Sequence, residues 1–111
     1  ITRPDNGQNA LNIGANSTAS HLVLEGIEVT GGDTGIKIFH ATQVWIDGCH
    51  VHHVGGAGIA ANTYDTSYLH LTRNHIHDTA GTAEGMYLGA NNGVVAMSHS
   101  VIADNHIHDT Y

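Results

Sequence analysis

Apolar positions along this chain alternate with a period of two inside short runs, and the runs themselves recur about every 25 residues. Leu22, Leu24, Ile27 and Val29 face one way while Val23, Glu25, Glu28 and Thr30 face the other, with a bend near Gly26. A period of two belongs to a strand, whose successive side chains point to opposite faces. The runs end in turn-forming clusters: Thr30-Gly31-Gly32-Asp33, Val54-Gly55-Gly56-Ala57 and Asn91-Asn92-Gly93.

Two patterns repeat. The first is a small residue followed by alternating apolar positions, in Ala10-Leu11-Asn12-Ile13, Gly35-Ile36-Lys37-Ile38, Gly58-Ile59-Ala60-Ala61 and Gly85-Met86-Tyr87-Leu88, with intervals of 25, 23 and 27 between their last residues. The second reads LEGIEVTG, IDGCHVHH, LTRNHIHDT and IADNHIHDT, and aligned on Val29, Val51, Ile76 and Ile107 its intervals are 22, 25 and 31. The long last interval predicts an insertion from about Gly89 to Ser100. Three short strands per unit, with no helix between them, make one coil of a solenoid.

The run GIKIF…VWIDGCHVHH, matched by YLHLTRNHIHDT…EGMYLGA, resembles the right-handed parallel β-helix of the pectate-lyase-like superfamily over about residues 9 to 111. The expected architecture is all-β: a right-handed parallel β-helix solenoid of about four coils, lacking its own caps. Residues 1 to 9 enter as though from a previous strand, and the chain stops at IHDTY within a coil pattern. Residues 1–111 therefore read as a single β-helix segment, part of a longer β-helix or a module stacking end to end on its own copies. This fold hosts lyases, hydrolases, epimerases, phage spikes and inert surface proteins, so function must come from side chains.

Equivalent positions on successive coils stack about 4.8 Å apart. Val29, Val51, Ile76 and Ile107 form one expected inward column, Leu24, Ile46, Leu71 and Ile102 a second, and Ile13, Ile38, Ala61 and Leu88 a third. Ile27, Cys49, Asn74 and Asn105 share a column at a bend. There Asn74 and Asn105 resemble the internal asparagine ladder of the family, and Cys49 is read as a small buried residue in place of Asn. Two outward ladders carry His50, His75 and His106, aligned with Glu28, and His52, His77 and His108, aligned with Thr30. Two imidazoles with Asp78 or Asp109 can converge on a divalent metal, Zn or Ca. The alternative is turn chemistry, with imidazole and carboxylate capping backbone groups. Charging all 11 histidines would move the net charge from -7 to about +4, so stability is expected to fall from pH 7 to pH 5.

Composition narrows the partners. Ten acidic residues stand against three basic ones, Arg3, Lys37 and Arg73, too few to neutralise a run of phosphates; nucleic acid and anionic membrane are not expected partners. No apolar run approaches the roughly 20 residues of a spanning helix. The N-terminus ITRPDNGQN lacks signal-peptide features and reads as mature sequence. One cysteine precludes an internal disulfide, and 12% charged residues is too few for the exposed faces of a helix bundle.

The family resemblance implies a substrate lying along one sheet, with catalytic side chains projecting from neighbouring coils. The candidate is the GIxI strand, with outward columns Asn12, Lys37, Ala60, Tyr87 and Gly14, Phe39, Asn62, Gly89. A lyase needs a base, a neutraliser for the uronate carboxylate and an acid. Lys37 can serve as base and Tyr87 as acid, although two coils separate them by roughly 10 Å; a solvated surface lysine is the plain alternative. A hydrolase needs two carboxylates about 5–9.5 Å apart; Glu84 and Asp33 precede GIxI strands two coils apart. Asn12, Phe39, Asn62 and Tyr64 are candidate substrate contacts, and Tyr87, Phe39, Tyr64 and Trp45 can stack on sugar rings. The reading is a segment of a secreted or cell-surface carbohydrate-active protein, a polysaccharide lyase or glycoside hydrolase. The alternative is a non-catalytic structural or adhesive solenoid, with metal on its histidine ladders.

Overall fold

The computed structural model describes residues 1–81 and 83–110, which hold fourteen strands and no helix. In chain order they are β1 (Thr2–Arg3), β2 (Leu11–Ile13), β3 (Ala19–Glu25), β4 (Glu28–Gly31), β5 (Ile36–Ile38), β6 (Ala41–Asp47), β7 (His50–Val54), β8 (Ile59–Ala61), β9 (Thr66–Thr72), β10 (His75–Thr79), β11 (Met86–Leu88), β12 (Met97–Ser98), β13 (Val101–Ala103) and β14 (His106–His108). They form three parallel sheets. One runs β1-β4-β7-β10-β14, the histidine sheet; one runs β2-β5-β8-β11, the glycine sheet; one runs β3-β6-β9-β12, with β13 also on β9, the aromatic sheet. The chain visits the sheets in rotation, so the fold is a parallel β-solenoid, with three full turns between β2 and β11.

The columns expected from the repeat are the observed register. Val29 pairs with Val51, Val51 with Ile76 and Ile76 with Ile107; Leu24, Ile46, Leu71 and Ile102 pair in the same way. The middle members are fully buried, whereas Ile102 and Ile107 are 44% and 40% exposed, because the outermost rung has a neighbour on one side only. Burying each Ile or Leu contributes about 1.5–3 kcal/mol.

Gly58 shows why a small residue opens each glycine-sheet strand. A Cβ there would collide with Ile76 Cγ2 and with the Gly85 carbonyl, so the strand runs directly against its neighbouring core column. The asparagine ladder caps another part of the core. Asn74 Oδ1 accepts from Cys49 N–H at 3.0 Å, and Asn74 Nδ2 donates to Ile46 O at 3.0 Å.

Bends are made by left-handed residues stacked in columns. Gly26, Gly48, Arg73 and Asp104 precede the asparagine column; Gly31, His53, Asp78 and Asp109 follow the column of Thr30, His52, His77 and His108; His21, Gln43, Tyr68 and His99 kink the aromatic sheet. The residues bearing side chains have φ of +51° to +59°, a conformation costing on the order of 1–3 kcal/mol.

The last repeat is longer in two places. His50 to Ile59 spans 9 positions against 11 from His75 to Met86, and Ile59 to Thr66 spans 7 against 11 from Met86 to Met97. The insertion expected at Gly89–Ser100 therefore accounts for four extra residues, and two more lie before β11. The main excursion is closed by Ala90 N donating to Val95 O at 3.0 Å, and Ala96 N then bonds Asp65 Oδ1 at 2.9 Å.

Candidate functional site

Three outward faces carry chemistry. On the glycine sheet, Asn12 pairs with Lys37, Lys37 with Ala60 and Ala60 with Tyr87, as the repeat predicts. Lys37 Nζ donates to Asn62 Oδ1 and sits 5.7 Å from the Phe39 ring centroid, and burial lowers its pKa. Asn12 accepts from Asn9 Nδ2 at 2.8 Å, and Tyr64 stacks on His40 at 3.9 Å. Glu84 and Tyr87 line one shallow depression with Met86, Leu88 and Asn91. The fold thus gathers Lys37, Phe39 and Asn62 in one place and Glu84 with Tyr87 in another. The whole coil holding Ala60 lies between the Lys37 and Tyr87 strands.

On the histidine sheet the alternation of β7, β10 and β14 turns six imidazoles outward. Rings of one column stack between coils with centroids 4.9–5.1 Å apart and planes within 5–7°. Neighbours along a strand are as close, 4.2–4.8 Å between centroids, so the two ladders merge into one array. Contacts between coils run diagonally. His50 Nε2 lies 2.7 Å from His77 Nε2, and His75 Nε2 lies 2.8 Å from His108 Nε2.

The left-handed residue after His75/His77 and after His106/His108 is an aspartate, Asp78 and Asp109, whereas His53 follows His50/His52. An extended Asp78 would point to the opposite face from His77; with φ +54° its Oδ2 instead accepts from His77 Nδ1–H at 2.6 Å. Asp109 meets His108 Nδ1 identically at 2.7 Å. Both carboxylates thus bond the imidazole that precedes them. With Nδ1 as donor, Nε2 of His77 and of His108 is left with its lone pair. Burial, then the charges of His52 and His77, lowers the pKa of His50; burial, then His77, does the same for His75. The hydrogen bonds from His52 and His77 lower Glu28 and Asp78 respectively.

On the aromatic sheet, Val23, Trp45, His70 and Val101 form one outward column in register. Trp45 and His70 stack at 4.2 Å, and Tyr68 stacks on His99 at 5.0 Å. His21, Val23, Gln43, Trp45, Tyr68 and His70 line an open cleft of about 460 Å³. Trp45 was legible as a ring for stacking; its stack on His70 was not, because strand register sets the two side by side without fixing their side-chain torsions.

Strand rotation, parallel register and stacked inward columns agree with the family comparison, in which a model described as right handed beta helix region matches residues 1–111. The chain belongs to that family. No curated protein and no solved structure matches it. Membership in the right handed beta helix family fixes the fold and leaves the chemistry to the three faces above.

Proposed function

We propose that this chain is the glycan-binding segment of a carbohydrate-active β-helix protein that works outside the cell or at its surface. The observation that carries the reading is the Trp45–His70 stack on the outer face of the aromatic sheet. Val23, Trp45, Tyr68 and Val101 there are 58%, 48%, 48% and 43% exposed, an apolar strip unusual for a surface with no partner. Sugar rings present C–H faces that pack on aromatic rings, while their hydroxyls need polar groups such as His21 and Gln43 at the cleft wall. The cleft lining holds no Lys, Arg, Asp or Glu, and the chain carries a net -7, so a neutral polysaccharide fits better than a polyuronate.

A second reading is polyuronate lysis with Lys37 as base, favoured by the burial that lowers its pKa. Calorimetric titration with neutral and uronate polysaccharides separates the two. Trp45→Ala is expected to weaken neutral-glycan binding at least tenfold. Binding restricted to polyuronates, with release of unsaturated product that Lys37→Ala abolishes, would replace the first reading by the second. No binding to either class overturns both and leaves a structural or adhesive solenoid.

A further inference from the structure

We propose that the histidine sheet is a binding site for one divalent transition-metal ion, Zn²⁺ by donor preference, held by His50, His75 and His77 with Asp78 positioning His77. The ligand nitrogens of these three residues lie within 4.8 Å of one another, and all three side chains are part-buried. Imidazole nitrogen suits Zn²⁺, Cu²⁺ and Ni²⁺, whereas Ca²⁺ requires oxygen ligands, so the donor set selects against calcium.

The arrangement outside the ligands fits the same ion. Metal-bound imidazoles commonly donate their second N–H to a carboxylate, which sets the tautomer and turns the free lone pair towards the metal. His77 Nδ1 and Asp78 Oδ2 already make that bond at 2.6 Å, and His77 Nε2 faces His50 Nε2 at 2.7 Å. When the ion binds, the proton between those two nitrogens leaves His50 Nε2 for solvent while His50 Nδ1 takes one up, so His50 stays neutral with its Nε2 lone pair free; the two nitrogens separate to about 3.3 Å for Zn–N bonds near 2.0–2.1 Å at tetrahedral angles. His75 supplies the third ligand, and the fourth position is open to water or an added ligand.

The site belongs to a series. Glu28/His50/His52, His50/His75/His77 and His75/His106/His108 also bring their donors together, and they occupy the same three positions on successive coils. Neighbouring sets share a histidine, and a fourth, His53/His77/Asp78, shares His77, so the central set competes with three others for its ligands. Among the described residues it is the one set whose members are all part-buried histidines. The proposal is independent of the glycan reading, which concerns another sheet.

The test is competitive titration of chelator-stripped protein with ZnCl₂ against a chromophoric zinc chelator. One ion per chain is expected. His50→Ala and His77→Ala should each weaken binding at least tenfold, and Asp78→Asn, which tolerates the left-handed backbone, roughly 10–100-fold. His99→Ala, on the aromatic sheet, should bind as the parent does. Equal affinity in the parent and the His50 and His77 variants, or an equal loss in His99→Ala, overturns the site. Should a variant fail to fold, X-ray absorption at the zinc edge of the loaded parent decides: three imidazoles support the site, and one or none rejects it.

Discussion

Replacing Asn74 by Ala tests the internal ladder directly. Asn74 is 1% exposed; its Oδ1 accepts from Cys49 N–H at 3.0 Å, and its Nδ2 donates to Ile46 O at 3.0 Å and to Asn105 Oδ1 at 3.1 Å. Alanine leaves the Cys49 amide and the Ile46 carbonyl without those partners inside the coil. A buried orphan of this kind costs about 1–3 kcal/mol, so the two together, with the smaller loss at Asn105, come to about 4 kcal/mol. That is a large part of a typical 5–15 kcal/mol stability and corresponds to a fall in Tm of roughly 15–30 °C. The reciprocal change is Cys49→Asn. Cys49 Sγ lies 3.6 Å from Leu24 O, where Asn74 and Asn105 place amide donors on Ile46 O and Leu71 O. An amide there extends the ladder and should add about 1 kcal/mol. Urea unfolding followed by far-ultraviolet circular dichroism measures both at unchanged m. A cost below about 1 kcal/mol for Asn74→Ala, or a Cys49→Asn protein clearly weaker than the parent, would refute the reasoning.

Gly58→Ala forces a Cβ onto Ile76 Cγ2 and the Gly85 carbonyl and should cost about 1–3 kcal/mol in the same unfolding assay; an unchanged midpoint would show that the strand can move aside. Acidification should destabilise the metal-free protein. His50 and His75 have folded pKa values below the ordinary 6.5, so the unfolded chain binds more protons, and stability is lost as pH falls through 6.5 towards the folded values. Glu28, Asp47 and Asp78 are also lowered and add to the loss below about pH 4.5. A Tm at pH 5 equal to or above that at pH 7.5 contradicts this sign.

Much of the fold was legible because the repeat carries its own register. The repeat places Val29, Val51, Ile76 and Ile107 at equivalent positions, and that is the pairing found between β4, β7, β10 and β14. The outward histidine columns followed from the same alternation. The diagonal Nε2 contacts did not, since they depend on side-chain torsions that a strand pattern leaves open. Nor did the left-handed columns beyond their glycine members. Gly26 and Gly48 mark one bend in the sequence, but His21, Gln43 and Tyr68 adopt the same φ with nothing in their chemistry to announce it. The Trp45–His70 column needs only the plain alternation of Val44, Ile46, Leu69 and Leu71, while the glycine sheet was the expected groove because the family resemblance implied a substrate along one sheet.

The same device serves two faces. One column of left-handed residues displays Tyr68 beside Trp45 and His70; another folds Asp78 and Asp109 back onto the histidines that precede them. In both, a repeated sequence converts one local choice into a stripe. For the imidazoles the stripe limits what the surface can tolerate. Rings stacked 4.9–5.1 Å apart accept neutral neighbours, but protonated ones repel at that distance; burial first, and then this repulsion, lowers the pKa values of His50 and His75. A neutral imidazole keeps the lone pair that a metal ion requires, and Asp78 directs one such lone pair at His50. The spacing that makes the array sensitive to acid is thus also what makes it a ligand set at neutral pH.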